Sequence, residues 1–251
     1  MTTIVRLTRA EFRKLATAWS YPVALTLSVG LGVISVAVNA FAAGKNGLPA
    51  LGTVASTDKM LKLGPVCCVA MLVVGIVASG GEFRHKTIIP AALIAPRRGG
   101  LVIAKGIAIA LAGAVLSTLT FGLSLATAIA SLALHHHHHL PPDTWRLFSG
   151  SVISGTLFGL IGVALGYVTR STLVAVVGAV GWVLFGELAI IHTIAPQIAK
   201  WLVTGAATAL TNPATPGSGA LAPATAVAML CIYAAAMFAV ATGLMLRRDI
   251  A

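Results

Sequence analysis

The charged residues suited to binding another protein are concentrated in one stretch, GEFRHKTIIPAALIAPRRGG, residues 81–100. Five charged side chains lie there, in a chain that is 58% hydrophobic and only 9% charged: Glu82, Arg84, Lys86, Arg97 and Arg98. Glu82 precedes Lys86 by four residues, an orientation that stabilises a helix, while Pro90 and Pro96 limit the length of that helix. A short helix with apolar and charged side chains side by side favours a docking surface over a simple connector.

Metal-binding chemistry is suggested by LHHHHHLPPD, which places His135, His136, His137, His138 and His139 in one loop. Neutral imidazoles bind zinc, copper or nickel, and a histidine-rich tract can do so loosely. Consecutive residues in a loop nevertheless make a poor preformed cage, and Asp143 is the only nearby acid. The tract is either a loose metal site or a low-complexity loop, natural or engineered, and we favour the second.

A further candidate is Glu187, an acid late in an apolar run. An ionisable side chain within a membrane span is costly and therefore a candidate for function. Two interpretations remain open. Glu187 faces a substrate path, where it would receive a cationic group, or it lies at the outer interface, hydrated or paired with Lys200.

The elements that carry these residues are predicted to be transmembrane helices. Mean hydropathy is +0.97, and repeated apolar runs of about 20 residues are each long enough to cross a bilayer as a helix. The alternation typical of a membrane β-barrel is missing. A net charge of +11 would suggest nucleic acid in a soluble protein, but here the basic residues lie in loops, where they act as topology signals. We therefore expect a single all-α integral membrane domain, residues 1–251, with no nucleic-acid partner.

Six spans are predicted, at about 21–43, 63–80, 101–133, 147–169, 172–192 and 221–246. The third run is too short for two spans and a turn, which need about 40 residues, so one long tilted helix is expected. Lys105 near its start is expected to snorkel to the interface. Residues 194–220, apolar but interrupted by prolines, are predicted to be a short re-entrant segment on the outer face.

Residues 3–19 precede the first span and form an amphipathic pattern. Apolar side chains fall within an arc of about 100° on a helical wheel, and Arg6, Arg9 and Arg13 share another side. Such a helix lies in the membrane surface, with its basic side toward anionic headgroups.

The distribution of basic residues sets the orientation. With six spans and both termini in the cytoplasm, twelve basic residues are inside: Arg6, Arg9, Arg13, Lys14, Arg84, Lys86, Arg97, Arg98, Lys105, Arg170, Arg247 and Arg248. Five are outside: Lys45, Lys59, Lys62, Arg146 and Lys200. This bias follows the positive-inside rule and places residues 81–100 in the cytoplasm.

Glycines recur every four residues in the fourth predicted span, as Gly155-x-x-x-Gly159 and Gly162-x-x-x-Gly166. This spacing lets two helices approach closely. We expect it to serve packing within the chain rather than a dimer contact.

The loop sequence GEFRHKTI…LIAPRRGGLVIAKG resembles that of permease subunits of ABC-2 type ATP-binding-cassette transporters, particularly actinobacterial ones. The matching positions are Glu82, Arg84, Thr87, Pro96, Arg97, Arg98 and Lys105. Lys86 stands where the family has Gly, and Pro90 lies outside the pattern. The resemblance extends to the N-terminal helix, which is similar to the family's connecting helix, and to the six spans with an outer-face segment.

The resemblance implies that residues 81–100 form a coupling helix that docks on an ATPase subunit. The docking residues would be Glu82, Phe83, Arg84, His85, Lys86, Thr87 and Ile88. The chain has no phosphate-binding G-x-x-x-x-G-K-[ST] loop, so it is expected not to be an enzyme and to bind no cofactor, with ATP and Mg²⁺ held by a separate ATPase chain. A second permease half, identical or a sister chain, would complete the transporter in the plasma membrane.

Export of a hydrophobic or amphipathic substrate is the function that the resemblance favours. Two other functions remain open: a membrane anchor or regulatory scaffold that recruits an ATPase without transport, and an ion or metal carrier that uses the histidine tract.

Overall fold

The structure is a computed structural model, and it describes residues 2–45, 53–61, 64–85, 87, 98–135, 143–211 and 221–247. Within these ranges the regular structure is entirely helical. The helices are α1 (Thr2–Thr17), α2 (Ser20–Ala42), α3 (Val54–Leu61), α4 (Gly64–Arg84), α5 (Arg98–Leu134), α6 (Thr144–Thr169), α7 (Thr172–Gly181), a π-helical segment (Trp182–Ile191), α8 (His192–Ile194), α9 (Pro196–Ala199), α10 (Val203–Thr211) and α11 (Pro223–Arg247). The predicted all-α class is confirmed.

Five helices in the described part of the chain are long and apolar enough to cross a membrane: α2, α4, α5, α6 and α11. They coincide with five of the six predicted spans. The remaining predicted span, the fifth in chain order at 172–192, corresponds to α7 and the π-helical segment, which have 10 residues each. The third run is a single helix of 37 residues, as expected.

The N-terminal helix α1 is separated from α2 by a break at Ala18 and Trp19. It packs against the start of α5, with Leu15 and Glu11 buried. Val5, Phe12 and Trp19 are exposed, and the Trp19 side chain is 84% accessible. An apolar face that the protein itself does not cover is what an interfacial helix requires, although the membrane position of α1 stays a prediction.

The centre of the fold is the packing of α4 against α6, which depends on glycine. A Cβ atom added at Gly162 would lie 2.3 Å from the carbonyl oxygen of Leu72, and one at Gly75 would lie 2.2 Å from the carbonyl oxygen of Gly159. The two backbones approach so closely that no side chain fits between them. The expectation that these glycines serve packing within the chain is confirmed.

The ends of α4, α6 and α11 and the start of α5 lie on the same side of the bundle. The rings of Phe83, at the end of α4, and Tyr167, at the end of α6, are 6.0 Å apart. Phe238, nine residues before the end of α11, packs over Gly106 near the start of α5. We call this the α1 end of the bundle, because α1 packs there as well.

Residues 192–211 form α8, α9 and α10, which fold back onto the bundle. The hydroxyl of Tyr233 in α11 donates to the carbonyl oxygen of Trp201 at 3.1 Å, and the backbone of Leu210 covers Gly150 in α6. The rest of the predicted outer-face segment, 212–220, lies outside the described residues.

Candidate functional sites

A cluster of four charged side chains lies at the α1 end. Lys105 of α5 donates to Glu11 of α1 and to Glu82 of α4, the latter at 2.9 Å. Lys14 of α1 donates to the same two carboxylates, at 2.6 Å to Glu11 and 3.3 Å to Glu82. Two acids and two lysines balance in charge, and three of the four side chains are buried. The cluster therefore ties α1 to the helices on either side of residues 85–97.

The charges in α1 are stabilised by this pairing. Burial by itself raises the pKa of Glu11, but Lys105 and Lys14 outweigh it and hold that pKa below its usual range. Burial likewise lowers the pKa of Lys14, and Glu11 and Glu82 more than offset it, so that this pKa is raised. Both groups are charged at neutral pH because each stabilises the other.

The expectation that Lys105 reaches the interface by snorkelling is wrong. Its side chain is 3% accessible, and its ammonium also donates to the backbone oxygen of Ala78 at 3.3 Å. The ammonium turns inward because it pairs with the buried carboxylates of Glu11 and Glu82.

An aromatic group extends the cluster toward α6 and α7. The Phe83 ring packs edge-on against Tyr167, and the guanidinium of Arg170 lies 5.5 Å from the centre of the Phe83 ring. Oε2 of Glu82 and the hydroxyl of Tyr167 are buried without a hydrogen-bond partner in the described structure. The end of α4 is thus contacted by α1, α5, α6 and Arg170.

The predicted docking residues divide into two groups. Glu82 faces the buried cluster and Phe83 is half-buried, whereas Arg84, His85 and Thr87 are exposed. The other two predicted docking residues, Lys86 and Ile88, lie outside the described residues. Docking of an ATPase through any of these side chains stays a prediction.

A second site surrounds Glu187 in the π-helical segment. Oε1 accepts a hydrogen bond from the indole nitrogen of Trp182 at 2.8 Å. Oε2 accepts from the backbone nitrogen and the hydroxyl of Thr204, at 2.8 and 2.5 Å. A π-helix pairs residues five apart, which brings Trp182 and Glu187 to the same side of the segment. Thr204 is in the first turn of α10, where free N–H groups attract an anion.

This geometry speaks against one of the two interpretations of Glu187, while the other, a position on a substrate path, stays a prediction. The side chain is 1% accessible, and Lys200 donates to Gln197 instead, at 3.1 Å. The hydrated position with a Lys200 pair is therefore wrong. Glu187 instead lines a cavity of about 470 Å³ between α6, α7 and α11.

The histidine tract is described only at its first residue, His135, which is exposed at the end of α5. The remaining four, His136 to His139, lie outside the described residues. Among the described residues of the whole chain, no three His, Cys, Asp or Glu side chains come together as a metal site.

Sequence reasoning missed the partnership of Glu11 with Lys105, which are 94 positions apart. A local signal did exist, because Glu11 is an acid within an otherwise basic helix and Lys105 is a base within an apolar one. A charge in apolar surroundings is costly unless it is paired, so two isolated charges of opposite sign are expected to form an ion pair.

Over the described residues, the fold and composition are those of an all-α protein with five helices long and apolar enough to cross a membrane. No protein-family model matches the chain, and no curated protein matches it.

Proposed function

We propose that this chain is the permease subunit of an ABC-2 type transporter, driven by separate ATPase subunits and exporting a hydrophobic or amphipathic substrate. The loop resemblance suggests the family, and the observation that carries the mechanism is the ion-pair cluster. Glu82 is in the last turn of α4 and Lys105 is about two turns into α5, so the cluster joins the two helices that flank the loop and ties both to α1.

The cluster suits a coupling role because force on the loop would reach several helices together. A push on Arg84 or His85 acts on the end of α4, which is held to α1 and α5 by buried ion pairs and to α6 by the Phe83–Tyr167 contact. Buried, well-packed groups transmit such displacements because interiors are close-packed. A closing ATPase pair would in this way move the α1 end as one unit.

We further propose that the chain crosses the plasma membrane six times, with the α1 end in the cytoplasm. The end of α6 and the end of α11 both lie at the α1 end. This arrangement supports one further crossing between α6 and the start of α11, for which α7 and the π-helical segment are the candidates. Residues 192–211 would then form the first part of a re-entrant segment on the outer side.

Cysteine labelling tests this topology. In a background without Cys67, Cys68 and Cys231, we expect a cysteine at Lys45 or Ile194 to react with an impermeant thiol reagent applied outside intact cells. A cysteine at Arg247 should react only after the membrane is opened, because it lies at the end that carries most of the positive charge. Labelling at Arg247 from outside would contradict the proposed orientation. A lack of labelling at Ile194 from outside would contradict a crossing by α7 and the π-helical segment.

ATPase docking is tested at an exposed residue, since Glu82 is needed for the buried cluster. Arg84→Glu should reduce the amount of ATPase that co-purifies with the permease by about tenfold or more, because a reversed charge at a contact costs several kcal/mol. The ATPase to use is an ATP-binding-cassette subunit sought among the genes that adjoin this one.

The matched control is Arg247→Glu, the same charge change at an exposed position of the α1 end on another helix. It should leave co-purification unchanged. Equal ATPase recovery with wild type and Arg84→Glu would refute docking at this site. Stimulation of ATP turnover by a transported substrate separates a permease from a scaffold, which would bind the ATPase without such stimulation.

A further inference from the structure

The cavity beside Glu187 has the dimensions and lining of a ligand site. Its volume of about 470 Å³ falls within the range of small-molecule pockets. It exists because α7 and α11 both pack on α6 and make little direct contact with each other. The walls are apolar, with aromatic rings from Phe158, Trp182 and Tyr233.

Among the described residues that line this cavity, Glu187 is the one with a charged side chain. All three of its hydrogen-bond partners donate, which matches the needs of a carboxylate, an acceptor with room for about four hydrogen bonds. Among the side chains that the structure describes, which do not include His192, no Lys, Arg or His forms an ion pair with it. The acids of the cluster at the α1 end, in contrast, each have two lysines.

Aromatic faces supply a second attraction for positive charge. A cation over a Trp or Tyr ring is attracted electrostatically by the face of the ring, most strongly where water is excluded. The Trp182 indole is held by its hydrogen bond to Glu187 and also lines the cavity. The acid and this ring therefore form one electronegative region in an otherwise apolar wall.

We propose that the cavity binds a lipophilic molecule carrying a single positive charge, with its apolar body between α6, α7 and α11 and its charge near Glu187 and Trp182. As a statement about the exported substrate class, this inference rests on the proposed function. As a statement about binding, it stands on the cavity and its charge.

The experiment compares two ions of the same shape and opposite charge. Binding of tetraphenylphosphonium and of tetraphenylborate is measured by equilibrium dialysis against the full chain in phosphatidylcholine nanodiscs, after subtraction of empty discs. We expect saturable binding of the cation at one site per chain. Binding of the anion as tight as that of the cation would overturn the proposal.

A cavity-filling pair of variants identifies the site. An added Cβ meets no atom within 4 Å at either Gly178 or Gly181 of α7, but only Gly178 lines the cavity. Gly178→Phe should weaken cation binding by about tenfold or more, and Gly181→Phe should leave it unchanged. Equal binding to both variants would refute the site.

Glu187→Gln tests the charge directly, and it should weaken binding of the cation while leaving apolar competitors unaffected. That variant could fail to fold because its amide cannot accept from all three donors. In that case the comparison of Gly178→Phe with Gly181→Phe still tests whether the cation binds in this cavity. No ATPase is present, so the binding result is independent of whether the chain is a permease. A chain that bound the cation but never an ATPase would keep this site and lose the proposed function.

Discussion

Gly162→Ala should strongly destabilise the protein, because a methyl group at this position has no room between α4 and α6. The new methyl carbon would lie 2.3 Å from the Leu72 carbonyl oxygen and 3.1 Å from the Ile76 nitrogen. Both are backbone atoms, so no side chain can rotate away and α4 must separate from α6. Overpacking of this kind costs about 1–3 kcal/mol, sometimes more. The measurement is the free energy or temperature of unfolding in detergent, followed by circular dichroism.

Gly122→Ala is the matched control, because a Cβ at Gly122 in α5 meets no atom within 4 Å. Alanine is the better helix former by about 0.5–1 kcal/mol, so this variant should be as stable as wild type or more so. Equal stabilities for the two variants would mean that α4 and α6 are not in close contact. A Gly162→Ala protein that is stable as a monomer but no longer self-associates would instead make the glycines a dimer contact.

The positions of the helices were predictable because hydrophobicity over about 20 residues is a local property. Five predicted spans match helices, and the long third run is one helix, since its length excludes two spans and a turn. The break between α1 and α2 was also readable, because the amphipathic pattern ends at Trp19 and a continuous apolar run follows.

The charged sites were not predictable, since their partners are distant in sequence. Lys105 looked like a snorkelling residue because the sequence around it contains no acid, yet its partners Glu11 and Glu82 come from two other helices. One of the two interpretations of Glu187 paired it with Lys200, whereas Thr204 at the N-terminus of α10 is the observed partner. The π-helical geometry that sets Trp182 beside Glu187 has no sequence signature of its own.

Lys105→Met should be the most destabilising change at the α1 end. It leaves Glu11 and Glu82 buried with only the half-exposed Lys14 between them. Removing one partner of a buried ion pair costs about 3–5 kcal/mol, because the remaining charge is uncompensated. Lys14→Met is the matched control: it removes the same charge from the same two carboxylates, but 53% of the Lys14 side chain is accessible. Its cost should be about 1 kcal/mol or less.

The double variant Glu11→Gln with Lys105→Met restores the balance of charge and should be more stable than the sum of the two single changes predicts, by about 0.5–3 kcal/mol.

Acid should act in the same direction as loss of Lys105. Because the pKa of Glu11 is lower in the folded protein than in the unfolded chain, its stabilising contribution is present above the unfolded value of about 4.3. That contribution is lost as the pH falls through the folded pKa, so the cost of Lys105→Met relative to wild type should shrink there. If Lys105→Met and Lys14→Met cost the same, or if acid leaves the difference between Lys105→Met and wild type unchanged, the cluster does not hold α1 to α4 and α5, and the proposed path from the loop to α1 would be lost with it.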